Sequence, residues 1–199
     1  MTTSIALRPL RVTDAPEMAA VLADLELYRY TGGEPPSIDG LERQHAVQTR
    51  GHSSDGSELW LNRIVVVGPE EQAVGYVQAT VPLDGSPAEI AWVVGVPWQG
   101  RGYAARAAAL LIEELRRKGV SRVLAHIHPE HEASQRIARR LGMAPTETVV
   151  DGETRWVTTL ARGKCPSARG AHSHAGGPDR TRRVSQDRPA SDGTRDNRC

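Results

Sequence analysis

The chain has 199 residues, 25 Lys and Arg against 24 Asp and Glu, and a net charge of +1, which bounds it to one globular domain plus an extension. It contains no run of about 18 apolar residues, and its N-terminus lacks the basic-then-apolar layout of a signal peptide. A soluble, cytoplasmic protein without membrane partners is therefore expected. Both cysteines, Cys165 and Cys199, lie near the C-terminus, which leaves the body without a disulfide, a cysteine nucleophile or a zinc-thiolate site.

Ile5 to Leu10 alternates weakly and reads as a first strand. Thr13 and Asp14 then cap a helix whose Met18, Val21, Leu22 and Leu25 recur at i, i+3, i+4 and i+7. Tyr28 to Pro36 is too rich in Gly and Pro for helix or strand, and Ser37 and Asp39 restart a helix that runs to about Arg50. Three β-type runs follow, Leu59 to Val67, Ala73 to Val81 and Ala88 to Val96. They are separated by Gly68-Pro69-Glu70-Glu71 and by Pro82 to Pro87, so an antiparallel meander is the economical reading.

The third run feeds Pro97-Trp98-Gln99-Gly100-Arg101-Gly102-Tyr103-Ala104, after which Ala107, Leu110, Leu111 and Leu115 recur at helical spacing. This is strand, glycine turn, helix. Gly100, Gly102 and the small Ala104 permit close approach of a ligand to the backbone. The unpaired N–H groups of the first helical turn, with Arg101, favour an anion, best a phosphate. The ending Gly-Lys-Ser/Thr of a P-loop is absent, and the glycines are one short of the dinucleotide fingerprint. A turn that merely joins strand to helix is the plainer alternative. The helix stops at Lys118-Gly119. Val123 to His128 reads as a strand that should pair parallel to Ala88–Val96, because a strand-helix crossover precedes it. Ala133 to Leu141 is a further helix closed by Gly142, and Thr146–Val150 with Thr154–Leu160 forms a hairpin across Asp151-Gly152.

Nine of the 25 basic residues but only four of the 24 acidic ones lie from Ala161 onward, so this segment carries net +5 and residues 1–160 carry net −4. Residues 163–199, rich in Gly, Ser, Pro, Arg and Asp, are expected to be a disordered basic tail beyond a domain at 1–162. Such a tail either tethers the protein weakly to nucleic acid or is simply a solvated extension. The acidic body is no nucleic-acid binder by composition.

The segment Gln99-Gly100-Arg101-Gly102-Tyr103-Ala104 has the form Gln/Arg-x-x-Gly-x-Gly/Ala. Here the sequence resembles the GNAT family of acetyl-coenzyme A dependent N-acyltransferases, whose members hold the coenzyme pyrophosphate at this loop. A second segment, His131-Glu132-Ala133-Ser134 through Ala138 to Leu141-Gly142-Met143, resembles the family's Asn-x-x-Ser-x-x-x-Ala-x-x-Leu-Gly-Phe/Met run. The resemblance spans about residues 4–161 and lies nearest the RimJ/RimL-like branch. It implies an α/β (α+β) domain of the GNAT fold, a mixed and mostly antiparallel sheet with a splayed parallel pair and helices on both faces. It further implies acetyl-CoA as cosubstrate, a primary amine as acceptor (a protein N-terminus or a small molecule), and no metal. In that reading Val93, Val94 and Val96 take the pantetheine arm as a pseudo-strand. Gln99, Gly100, Arg101, Gly102, Tyr103 and Ala104 surround the pyrophosphate, and His131 and Ser134 complete the coenzyme contacts.

Two departures from the family stand out. His131 replaces an Asn that orders the coenzyme, and Ala138 stands where many members have a Tyr general acid. Ser134 is then the nearest hydroxyl for the departing thiolate, unless it is an ordinary helix serine. Glu89 is the first candidate for the base that deprotonates the amine and Glu34 the second. A solvent-facing strand Glu is the rival reading of Glu89. His126, His128 and Glu130 also invite a metal reading, but no dedicated fourth ligand accompanies them. His128 is the better placed of the histidines as a proton acceptor. A non-catalytic acyl-CoA-binding sensor is the alternative to an enzyme. No motif fixes the oligomeric state, a homodimer included.

Overall fold

The computed structural model describes residues 4–160. The proposed tail, its two cysteines and the domain boundary near 162 lie outside the described residues. The elements are β1 (Ile5–Pro9), α1 (Ala15–Val21), α2 (Ile38–Gln48), β2 (Glu58–Val67), β3 (Gln72–Pro82), β4 (Ala88–Val94), α3 (Tyr103–Arg117), β5 (Arg122–Ile127), α4 (Glu132–Arg140), β6 (Ala144–Val150) and β7 (Glu153–Thr159). One seven-stranded sheet has the order β1-β2-β3-β4-β5-β7-β6, and β4 with β5 is its one parallel pair among the described residues. The expected order of strands and helices is thus present.

Alternation along the strands divides the core in two. On one face Ala88, Ile90 and Val94 of β4 and Val123, Ala125 and Ile127 of β5 pack with Ala107, Leu111 and Leu115 of α3 and with Ala138 of α4. On the other, Ile64, Val66 and Ala73 meet Met18, Val21 and Leu22 of the α1 segment and Leu41 of α2. The α1–α2 layer lies over the first strands of the sheet, so the face of β5 and β7 that carries Leu124, His126 and Arg155 belongs to neither cluster.

Two expected elements are bounded differently. The helix read from residue 13 to 25 is only seven residues long, flanked by single 3-10 turns at Val12–Asp14 and Leu25–Tyr28. Asp14 is buried and accepts from Arg8 Nη1 and from the Arg11 backbone N–H, both at 2.8 Å, instead of capping α1 with its side chain. Pairing with Arg8 draws the carboxylate toward the sheet and away from the free amides of the helix. The strand read through Val96 ends at Val94, because Val96–Trp98 turns into a 3-10 segment. The hairpin at Asp151-Gly152 is as expected, both residues at positive φ (50° and 83°), the conformation that suits the twist of a two-residue hairpin.

Gly75 sits where β3 presses hardest on β4. A Cβ there would lie 2.1 Å from the Val93 carbonyl oxygen and 2.9 Å from the Val94 Cα, both backbone atoms in the sheet's centre. Gly75→Ala is expected to destabilise the fold by about 1–3 kcal/mol or more through overpacking, read as a lower urea midpoint. A second test concerns His45 on α2, which is buried with no hydrogen-bond partner at Nδ1. Burial pushes its pKa down, against a smaller upward pull from Asp14. The unfolded chain therefore takes up the proton first. The stability tied to neutral His45 is complete above about pH 6.5 and is lost as pH falls from there through the lowered folded value. Urea titrations from pH 8 to pH 5 should show a fall in midpoint that His45→Gln flattens.

Candidate active site

Parallel pairing of β4 with β5 covers only Ala88 with Val123 and Glu89 with Leu124. β4 nonetheless stays antiparallel to β3 as far as Val94 opposite Gly75, so beyond Glu89 its other edge faces an opening. The Gly95 amide donates to the Val74 carbonyl at 2.9 Å, which makes Val94 and Gly75 a non-hydrogen-bonded pair. Peptide groups alternate from there, so the Ile90 N–H closes the Glu89–Leu124 bridge to β5, those of Trp92 and Val94 turn toward the opening, and that of Val93 turns toward β3. Gln99 Nε2 donates to the Val94 carbonyl at 3.0 Å, which leaves the Val94 N–H as the oriented donor. Of the three valines expected along a pantetheine arm, only Val94 has this parity. Val96 lies in the turn and Val93 packs against the α1–α2 core. Trp92 takes the place assigned to Val93, a consequence of register that sequence spacing does not reveal.

After the turn, Gly100 and Gly102 both adopt left-handed φ, 74° and 75°, and a Cβ at either would meet no atom within 4 Å. Glycine is required there by conformation, and the space above both residues is open. Gly102 is the N-cap of α3, and the Arg106 N–H returns to its carbonyl at 3.2 Å. The amides of Tyr103, Ala104 and Ala105 therefore have no acceptor within the helix. Three convergent N–H groups, the positive end of a 15-residue helix and the exposed Arg101 together suit a phosphate. The Tyr103 side chain is buried in the main core, so its contribution is confined to its backbone. Arg101 Nη2 donates to the Pro97 carbonyl at 3.3 Å, which folds the guanidinium back over the turn.

On the α1–α2 side of the opening, Glu89 Oε1 lies 3.0 Å from His126 Nδ1, and Arg155 Nε donates to His126 Nε2 at 3.5 Å. The three side chains come from β4, β5 and β7 and form a row across the strands. The Glu89 side chain is 46% exposed and that of His126 only 8%. Sequence reading singled out Glu89. It grouped His126 with His128 on one strand face and missed Arg155, which only the β5–β7 register places opposite His126.

The far end of β5 is roofed by rings. Tyr30 stacks on His131 with centroids 4.5 Å apart and planes at 16°, and it meets His128 at 5.4 Å and 37°. Burial, and then His128, hold the His131 pKa below the usual imidazole value, which favours the neutral ring in the stack. The Glu130 backbone N–H donates to His128 Nδ1 at 3.2 Å. The loop of residues 29–37 therefore reaches the start of α4, and His131 is engaged in a stack. Glu34 is exposed on that loop, Ser134 is half-buried on α4, and Ala138 is fully buried in the main core. No group of three His, Cys, Asp or Glu side chains with the arrangement of a metal site occurs among the described residues. A cavity of about 360 Å3 lined by Pro87, Arg122, Val123, Val157, Thr158 and Thr159 lies at the paired end of β4 and β5 and includes no residue of the glycine turn.

The acetyltransferase (GNAT) domain family matches residues 4–144. No curated protein sequence matches the chain. Among solved structures, an acetyltransferase from Thermus thermophilus is 19% identical with a TM-score of 0.65, over 80% of this chain and 99% of its own. A GNAT-family acetyltransferase from Bacillus anthracis is 17% identical at TM-score 0.64, over 80% and 96%. Spermidine N-acetyltransferase from Vibrio cholerae, solved with CoA and spermine, is 16% identical at 0.64, over 79% and 96%. At these identities the likeness speaks for the fold, and the family match speaks for the rest. No helix among the described residues is long and apolar enough to cross a membrane. With its parted β4–β5 pair and open glycine turn at the head of α3, this chain belongs to the GNAT acetyltransferase family and is an acyltransferase.

Proposed function

We propose that the protein is a cytoplasmic N-acetyltransferase of the RimJ/RimL-like type that moves the acetyl group of acetyl-CoA to a primary amine by direct attack on the thioester. The acceptor is a protein N-terminus or a small-molecule amine. The observation that carries the reading is the juxtaposition of two things at one opening: a donor-side row of free amides, and a half-exposed carboxylate, Glu89, where the strands part. The pyrophosphate goes to the amides of residues 103–105, between Gly100 and Gly102 and beside Arg101. The pantetheine arm runs along the edge of β4 at Trp92 and Val94.

An amine is protonated at neutral pH and cannot attack until it loses a proton. Glu89 takes that proton through intervening water, since Val94 lies five residues further along β4, and passes it to solvent. The amine nitrogen then forms the C–N bond, the carbonyl electron pair moves onto oxygen, and the Val94 N–H stabilises the oxyanion. Collapse breaks the C–S bond and sulfur leaves with the pair, the nitrogen gives up its second proton to solvent, and Ser134 on α4, reprotonated from water, is the hydroxyl that protonates the thiolate. Spermine in the Vibrio cholerae structure supports a cationic amine as acceptor class. The exposed Glu34 on the 29–37 loop suits the same charge.

Two measurements test this reading. Calorimetric titration of acetyl-CoA should give micromolar binding that Gly102→Glu abolishes, by setting bulk and negative charge at the pyrophosphate. Gly102→Ala should cost only the strain of a side chain at positive φ, about 1 kcal/mol of stability, and retain binding. Equal affinity in the Glu variant would refute the placement of the donor site. Glu89→Gln should then lower kcat about 10²- to 10⁴-fold in a thiol-release assay run with spermidine, kanamycin and a Ser-initiated peptide, with the KM for acetyl-CoA unchanged. Thiol release by no amine, despite tight acetyl-CoA binding, would favour a sensor over an enzyme for these acceptors.

A further inference from the structure

The row Glu89, His126, Arg155 has a direction written into it. Arg155 Nε carries a hydrogen and is a donor only, so at 3.5 Å the His126 Nε2 must present its lone pair to it. A neutral imidazole with an accepting Nε2 carries its hydrogen on Nδ1. That hydrogen faces Glu89 Oε1 at 3.0 Å. The neighbouring strand thus dictates the tautomer, and the tautomer dictates that His126 donates to Glu89.

The position of the contact matters as much as its polarity. Glu89 is paired with Leu124, the last residue pair before β4 and β5 separate, and His126 lies two residues further along β5. The carboxylate therefore reaches diagonally over the start of the opening, to a ring whose side chain is 8% exposed, while itself remaining 46% exposed. One oxygen is held by a nearly buried donor and the other is left for a proton. The ring offers no free site for onward transfer: Nδ1 carries the hydrogen that faces Glu89, and Nε2 faces the Arg155 donor.

We propose that His126 is a positioning residue for Glu89, fixed by Arg155 in the Nδ1-protonated tautomer, and that a proton taken up by Glu89 leaves to solvent and not through the ring. This rests on Glu89 being the proton acceptor, and the experiment separates the two ideas. The full chain labelled with 15N-histidine is examined by NMR, with His126 assigned by its loss in His126→Asn. A pyrrole-type Nδ1 and a pyridine-type Nε2 are expected, and Arg155→Met should relax that preference. The Asn amide offers a donor near the Nδ1 position, whereas Leu fills the space without one.

With the amine of spermidine, kanamycin and a Ser-initiated peptide that releases thiol fastest as probe, His126→Leu should lose about 10- to 100-fold in kcat. Its KM for acetyl-CoA should be unchanged, and His126→Asn should recover most of the rate. An Nε2-protonated His126 in the unaltered chain overturns the proposal. So does a Leu variant as active as the Asn variant while Glu89→Gln is crippled, which removes the positioning role alone. Full activity of Glu89→Gln removes the base and, with it, anything to position.

Discussion

The structure depends on a pairing that stops early. β4 and β5 share two residue pairs and then part, while β4 remains bound to β3 along its whole length. A parallel edge left open in the middle of a sheet exposes N–H and C=O groups that a folded protein would otherwise satisfy. Here those of Trp92 and Val94 face the opening, and one acceptor, the Val94 carbonyl, is already covered by Gln99. The remaining groups are of the kind an extended amide-bearing ligand can use, in the manner of an added strand. The proposed donor groove accordingly rests on backbone that the sheet leaves unpaired, while the proposed proton transfer rests on the Glu89 side chain.

What holds the open edge in place is tight packing on its closed side. Gly75 lets β3 approach β4 so closely that no side chain fits, and Gly95 is similarly confined, a Cβ there lying 2.7 Å from the Val21 carbonyl oxygen and 2.9 Å from the Trp98 ring. The strand, the 3-10 turn and the head of α3 thus form one stiff unit. The helix is anchored at its other end by the Arg63–Glu114 pair, whose Nε–Oε2 distance is 3.1 Å, and which ties it to β2.

Much of this was legible in the sequence, for identifiable reasons. Alternating apolar runs broken by Gly and Pro gave the strands, and helical spacing of Ala107, Leu111 and Leu115 gave α3. The two glycines of the turn marked a place where a ligand could approach the backbone, and their positive φ emerges only from the fold. Parity was not legible. Which of Trp92 and Val93 turns its peptide toward the opening depends on the β3–β4 register, with Gly75 opposite Val94, and no local pattern reports it. Arg155 escaped notice because its partner is 29 residues away, across a strand order in which β7 intervenes between β5 and β6. Asp14 has the form of a cap, but its burial beside Arg8 proved stronger than the local preference.

The ring stack over the end of β5 has a consequence of another kind. Tyr30 on His131 joins the loop of residues 29–37 to the head of α4 through a stacked ring contact. Contacts of that sort are not screened by dissolved ions, whose reach of about 10 Å at 0.1 M weakens pairs of exposed charges. The stack is therefore insensitive to ionic strength, whereas the attraction between Arg29 on the loop and Glu130 just before α4 weakens as salt is added. Salt thus loosens one of the loop's two holds on this end of the sheet and leaves the other in place.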